Sequence, residues 1–404
     1  MRLLHTSDWH LGRTLHNESL FDAQQAAMNQ IVEIVDTQGI DAVLVSGDIF
    51  DRAVPPVESV TLLAETLRQL TARVPVVVIS GNHDSAVRLG FGSRLFANPL
   101  HLRTGTSDIG HPVELADAEG TVLVYPVPFL DPDAARHSLG GVDVPLERSH
   151  EAVLSVAMGR VRADLRSRRS AVGPGPRSVV MAHAFVVGGQ LAASQAIRSD
   201  SERDIRVGGT DSVPADLFAG VDYVALGHLH GAQQSYLPDP AAASGTVLRY
   251  SGSPLRYSFS EARQTKSVTV VDVEAEGPIA VSTVALTQPR DMAVLVGPID
   301  ELLDPQQHEE VTSCWAQVTV TDPGRPEQMV PRLRERFPHA LVVRHVPASG
   351  PLLTSGGGQG AEALDPLEVA ESFVRYVTGA DATPAELDVF RSAYESVNTA
   401  QRSS

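Results

Sequence analysis

A chain of 404 residues, with 43% hydrophobic and 20% charged side chains, has ordinary globular composition and room for one large domain plus smaller units. No apolar run approaches the length of a membrane span, and the single Cys314 excludes an intramolecular disulfide framework and a thiolate zinc cluster. The net charge of −17 is uneven: residues 160–270 hold 13 basic and 9 acidic side chains, an excess of +4, whereas residues 271–404 hold 9 and 20.

Leu3-Leu4-His5-Thr6 reads as a short apolar strand with no charged-then-apolar leader before it, so the cytoplasm is the expected compartment. A helix follows over Phe21–Thr37, with Ile31, Ile34 and Val35 on one face, then a strand at Ala42–Ser46 ending at Gly47. A second helix, Ser59–Thr71, turns Leu62, Leu63, Leu67 and Leu70 inward, and Pro75–Ile79 is another β-branched strand. This rhythm predicts a sheet with helices on its faces, and such sheets bind ligands at the carboxyl ends of their parallel strands. Beyond residue 120 the pattern turns β-rich: Val122–Tyr125, Val179–Ala182, Tyr223–Leu226, Leu248–Ser251, Val268–Val273 and Ile279–Ala285 read as strands. Glu151–Arg168 is a long helix, and residues 186–215 form a polar insertion. The expected architecture for residues 1–288 is two face-to-face sheets with helices outside, a four-layer α/β/β/α sandwich. Residues 289–346 read as a small α+β capping domain, with strands Trp315–Val320 and Leu341–His345 and helix Met329–Phe337. Residues 347–361, rich in Gly, Ser and Pro, read as a flexible linker. Residues 362–404 read as a helical segment whose Val369, Phe373, Val374, Val377, Leu387 and Phe390 suit docking on a partner.

Five short motifs punctuate the first 230 residues: Asp8-Trp9-His10, Gly47-Asp48-Ile49-Phe50-Asp51, Gly81-Asn82-His83-Asp84, Ala182-His183-Ala184 and Gly227-His228-Leu229-His230. Each follows a strand-like run, so together they form a ligand set for two divalent metals along one sheet edge. Asp48, behind a glycine that permits a tight turn, is the natural bridge between the ions. Asp8 and His10, two apart on an extended segment, turn toward one ion, and Asn82 offers a neutral carbonyl oxygen. His183, His228 and His230 supply imidazole nitrogen, with His228 and His230 facing one side if their segment stays extended. His83 is left beside the metals as the non-ligand histidine, with Asp84 next to it. Arg160, Arg162, Arg166, Arg168 and Arg169 on one helix are the candidate basic surface for phosphate, and Arg52 is within reach of one too. Lys266 is the only lysine, and there is no Gly-x-x-x-x-Gly-Lys phosphate loop.

The ordered set resembles the calcineurin-like metallophosphoesterase superfamily. The segments His5–Gly12 and Tyr250–Glu261 (Tyr-Ser-Gly-Ser-Pro-Leu-Arg-Tyr-Ser-Phe-Ser-Glu) are similar to its DNA-repair nuclease branch. The likeness is firm over residues 1–285 and looser beyond. It implies that Asp8, His10 and His230 hold one metal, that Asn82, His183 and His228 hold the other, and that Asp48 bridges. It implies that His83 contacts the scissile phosphate and protonates the leaving oxygen, with Asp84 orienting it, while Asp51 has an open role, orientation of a ligand being one. Manganese, Mn2+, is the expected metal. The resemblance further implies a double-strand exonuclease and single-strand or hairpin endonuclease in the cytoplasm, at the nucleoid. Its implied partners are DNA and a coiled-coil ATPase that confers ATP regulation, with the chain as a homodimer within a heterotetramer and no membrane. The rival readings are a protein or small-molecule phosphoesterase, suggested by Asp51-Arg52, and a non-catalytic DNA-tethering protein.

Overall fold

The structure is a computed structural model; it describes residues 1–96, 98–140, 144–169, 176–188, 198–202, 205, 212–237, 245–348, 371, 374 and 382–392. The chain divides into two compact units, Met1–Ala348 and Ser349–Ser404. Of the second, residues 384–392 are helical. Residues 371 and 374 are helical too; apart from these and residues 382–392, the expected partner-docking segment, and all but the first two residues of the expected linker, lie outside the described residues.

The first unit contains two six-stranded sheets. In the first, the order is Ala280–Ala285, Ser267–Asp272, Arg2–Thr6, Ala42–Ser46, Val76–Ile79, Leu100–Leu102. The last four are parallel and the first two antiparallel. In the second, the order is Gln233–Ser235, Val247–Tyr250, Tyr223–Gly227, Arg177–His183, Gly120–Val127, Val113–Asp117, parallel through the middle four.

Strand periodicity explains the layers. Leu3, Ala42, Leu44, Val77 and Ile79 point one way and meet Val122, Val124, Val179, Met181, Tyr223 and Ala225 of the second sheet in a buried inter-sheet core. The alternate residues Leu4, Val43, Val45, Val76 and Val78 point outward and are covered by helices Phe21–Thr37 and Val57–Thr71. Val180, Ala182, Val224 and Leu226 are covered in the same way by helix His150–Arg169. This is the expected α/β/β/α sandwich. Beyond it, the strands Met292–Gly297, Trp315–Val320 and Ala340–His345 form a parallel three-stranded sheet around Leu302, Val318, Leu333 and Phe337. Strand Met292–Gly297, strand Val113–Asp117 and helix Pro132–Gly140 are additions to the sequence reading. Val113–Asp117 alternates buried and exposed over only five residues, too short a stretch to stand out in sequence.

No helix among the described residues is long and apolar enough to cross a membrane.

Candidate metal centre

The five motifs converge because all five follow carboxyl ends of parallel strands in two facing sheets. Thr6, Ser46 and Ile79 end three adjacent strands of one sheet, and His183 and Gly227 end two adjacent strands of the other. The backbone there is bent rather than extended. Asp8, His10, Asp48 and His228 have φ of 54°, 44°, 50° and 108°, values that non-glycine residues seldom adopt. The bend corrects the expectation of extended segments. At His228 it sends the two histidines of Gly227-His228-Leu229-His230 to different places instead of one side. Glycine is required at Gly47, where φ is 89° and a Cβ would lie 2.4 Å from His183 Nδ1.

Three overlapping groups result. Asp8, His10 and His230 place one ligand atom each within 4.8 Å of one another, as do His10, Asp48 and His83, and Asp8, Asp48 and His183. His10 Nε2 lies 3.0 Å from His230 Nε2. Asn82 Oδ1 lies 2.9 Å from His183 Nε2 and 3.1 Å from His228 Nδ1. Between the two sets sits Asp48, with Oδ2 3.6 Å from His10 Nε2 and 3.5 Å from His183 Nε2. One carboxylate oxygen thus faces both sets.

The electrostatics fit a cation here. Burial and the neighbouring Asp48 carboxylate push Asp8 well above the usual carboxylate range. Burial pushes Asp48 up to about 6, against the pull of His83. Burial holds His183 and His230 down to about 4, and His10 and His228 well below the ordinary value. The imidazoles are therefore neutral donors around two buried acids. Among the described residues, His228 Nε2 and His83 Nε2 are buried without a hydrogen-bond partner. Two divalent ions of the oxygen- and nitrogen-preferring kind would satisfy this donor set.

One expected role changes. The Asp84 carboxylate does not reach the His83 ring; it accepts the backbone N–H groups of Ile49 (3.1 Å), Phe50 (2.9 Å) and Gly81 (2.9 Å). It ties the Asp48 loop to the Asn82 loop. The His83 ring is oriented instead by Asp51, whose backbone carbonyl lies 2.7 Å from His83 Nδ1. The Asp51 side chain stands 3.5 Å from His10 Nδ1 and accepts from Arg13 at 3.1 Å. The arginines of the basic helix are largely engaged within the fold. Arg160 donates to Leu139 O and Arg162 to Leu217 O. Arg168 pairs with Glu114 and Asp164. Arg169 donates to Gly220 O and Ser178 Oγ. Ser178, the second residue of the strand that His183 ends, is the one Arg169 touches, so the last turn of this helix lies by the amino end of that strand, away from the centre. Arg52, by contrast, is exposed beside Asp51 at the rim.

Several residues at the site had no assigned role in the sequence. Glu261 Oε1 lies 3.2 Å from His230 Nδ1, Ser201 Oγ lies 2.7 Å from the same atom, and the His230 N–H donates to Glu202 at 2.9 Å. Tyr257 stands edge-on to His10 and donates to Trp9 O. The segment ending at Glu261 carried the only signal. Ser201 and Glu202 sit in the polar insertion without any motif. A cleft of about 490 Å³ opens alongside, lined among others by Arg13, His16, Tyr257, Phe259 and Arg344.

Residues 1–232 match the calcineurin-like phosphoesterase family, and the chain belongs to it. Residues 288–378 match the family described as type 5 capsule protein repressor C-terminal domain. Among curated relatives, the chain is 28% identical over 349 residues to a Staphylococcus epidermidis protein named as the SbcD component of the nuclease SbcCD, covering 86% of each chain. It is 37% identical over 284 residues to the Bacillus subtilis protein of the same name, covering 68% of this chain and 66% of that one. A solved dimetal phosphatase from Danio rerio matches with a TM-score of 0.40 and 12% identity, over 71% of this chain and 99% of that one.

Proposed function

We propose that the chain is a dimetal-dependent DNA nuclease of the SbcD type, a phosphodiesterase acting on DNA ends and hairpins in repair and recombination. The observation that carries it is the Asp48 carboxylate set between two nitrogen-rich ligand groups, with His83 alongside. Asp8, His10 and His230 would hold one ion, Asn82, His183 and His228 the other, with Asp48 between. Manganese is favoured over magnesium because four histidines enter the set, and magnesium prefers oxygen donors and retained water. When bound, such ions acidify a water and neutralise phosphate oxygens. The chain's own residues do the rest. The Asp51 carbonyl accepts from His83 Nδ1–H and fixes the ring; with a second proton on Nε2, the imidazolium would be the acid that gives that proton to the departing oxygen. His83 is edge-on to His10 at 4.7 Å between centroids, so that nitrogen stays beside the ligand cluster. Arg13, His16 and Arg344 in the adjoining cleft suit a phosphate backbone.

The partner reading follows from the relatives' name and from surface chemistry. The chain has no phosphate loop of its own, so ATP regulation would come from an SbcC-type coiled-coil ATPase, docked on residues 362–404, whose sequence pattern is that of amphipathic helix. A homodimer is supported by exposed Val54, Val57, Val87, Phe91 and Leu95, whose segments are joined by Arg88 donating to Ala53 O. The expected setting is the cytoplasm, on nucleoid DNA. The test is cleavage of a labelled hairpin DNA and of bis(p-nitrophenyl) phosphate, with manganese and with chelator, with and without the ATPase and ATP. Manganese-dependent hairpin cleavage supports the reading. Hydrolysis of the small ester with intact DNA would mark a phosphoesterase of another substrate class.

A further inference from the structure

His230 is gripped by a buried ion pair. Glu261 and Lys266 are 0% and 2% exposed, with Lys266 Nζ 2.6 Å from Glu261 Oε2. The other carboxylate oxygen, Oε1, accepts Ser201 Oγ at 2.7 Å and lies 3.2 Å from His230 Nδ1, which is itself 2.7 Å from the Ser201 hydroxyl, so Glu261 meets the ring both directly and through Ser201. Lys266 Nζ also donates to His230 O at 3.0 Å, Ser253 Oγ at 2.9 Å and Gln264 Oε1 at 2.8 Å. The carboxylate therefore addresses the His230 ring, and the ammonium addresses its backbone. With Nδ1 occupied, Nε2 is the atom left to face Asp8 and His10.

We propose that Glu261 and Lys266 are positioning residues for the metal held by Asp8, His10 and His230. Glu261 fixes the His230 ring with the proton on Nδ1 and Nε2 bare, and Lys266 anchors both that carboxylate and the His230 backbone. The proposal rests on the two-metal reading above. A carboxylate behind a ligand histidine fixes its tautomer and raises its basicity. A lone carboxylate at this depth would be costly to bury, and the ammonium supplies its countercharge. Lysine suits the task because a compact ammonium is a point charge that sits within 3.0 Å of the carboxylate and three further acceptors at once. It is the only lysine in a chain whose other cationic side chains are all arginine.

The experiment is titration of the metal-free full chain with Mn2+, read by calorimetry and by electron paramagnetic resonance. The wild type should take two ions per chain, with a spin-coupled signal. Glu261→Gln should bind one of them about 10–100-fold more weakly and show an isolated ion at partial loading. The paired change Glu261→Leu with Lys266→Met leaves no buried charge unpaired, so it should fold and show the same selective loss. Two ions bound at wild-type affinity by either folded variant would overturn the proposal. A readout on the metal-free wild type needs no folded ion-pair variant: nitrogen-15 histidine spectra should show His230 protonated at Nδ1. A proton on Nε2 would overturn the proposal. Fewer than two ions on the wild type would overturn the metal reading itself.

Discussion

Asp84→Ala separates a structural tie from a catalytic one. Three backbone N–H groups converge on this carboxylate, from Ile49, Phe50 and Gly81, at 2.9 to 3.1 Å. Ile49 and Phe50 are buried. Orphaning a buried donor costs about 1–3 kcal/mol, and water reaching a half-buried position recovers part of that. Three donors at the lower end give a loss of roughly 3–6 kcal/mol, a large fraction of the about 5–15 kcal/mol that holds a typical domain folded. Asp84→Asn keeps one acceptor oxygen and turns an amide donor toward the remaining N–H, so it should fall between. Because the tie joins the Asp48 and Asn82 loops, Mn2+ affinity should drop with stability. The assay is urea unfolding in chelator, followed by circular dichroism, together with Mn2+ calorimetry. Stability within about 1 kcal/mol of wild type, with unaltered Mn2+ binding and only turnover lost, would refute the tie. That outcome would return Asp84 to the role of orienting His83.

His83→Gln should keep two bound ions while cleavage of a poor leaving group collapses; loss of metal on elemental analysis would instead make His83 a ligand. Arg344→Glu in the cleft should weaken DNA binding and flatten its salt dependence, whereas Arg166→Glu at the far end of the sheet should change neither. Equal effects of the two on the salt slope would restore the basic helix as a DNA surface. In chelator, stability should peak at mildly acidic to neutral pH. Asp48 at about 6 and Asp84 at about 7 lie above the ordinary value, so their contribution is present at low pH and lost as pH rises through those values. His183 and His230, at about 4, lie below the ordinary value and act oppositely, losing stability as pH falls from about 6.5 toward 4. Saturating Mn2+ should remove the decline on the alkaline side. A metal-free unfolding midpoint that climbs steadily from pH 6.5 to 8.5 would contradict this assignment.

The sandwich was legible because its strands are continuous apolar runs punctuated by glycine. Ala42–Ser46 is buried at every position, and period alone locates it. The ligand residues were legible because each stands at the end of such a run. What the sequence could not carry is direction. Asp84 follows His83 directly, which suggests a partnership; the fold turns its carboxylate back on three N–H groups from two loops. Arg160 to Arg169 look like a basic surface in one dimension. In three, Arg162 and Arg169 are spent on carbonyl groups at the amino end of the second sheet. Glu261 lies 31 residues from His230, and only the tertiary fold makes them neighbours.

The local rules that the site breaks are of one kind. Four motif residues hold positive φ, two carboxylates are buried side by side, and five imidazoles gather with ring nitrogens as close as 3.0 Å. Backbone strain of this sort costs on the order of 1–3 kcal/mol per residue and persists only where the surroundings over-determine it. Here the surroundings are two rigid sheet ends, closed against each other at Gly47 and Gly227 so tightly that a Cβ on Gly47 would lie 2.4 Å from His183 Nδ1 and one on Gly227 1.9 Å from Ser46 O. The same closeness that strains the chain sets the ligand atoms at coordination spacing. A divalent cation converts the repulsion between Asp8 and Asp48 into shared attraction, so binding energy offsets what folding alone leaves uncompensated. The metal-free chain is therefore expected to be softest at this centre, with the amides of the residue 8–12 and 48–51 loops exchanging faster than the strands that feed them. Hydrogen exchange with and without Mn2+ tests this: protection that appears on metal addition in those two loops, and not in Ala42–Ser46 or Val76–Ile79, is the expected pattern. Protection spread evenly over the sheets would mean that the strain is not concentrated where the ligands are.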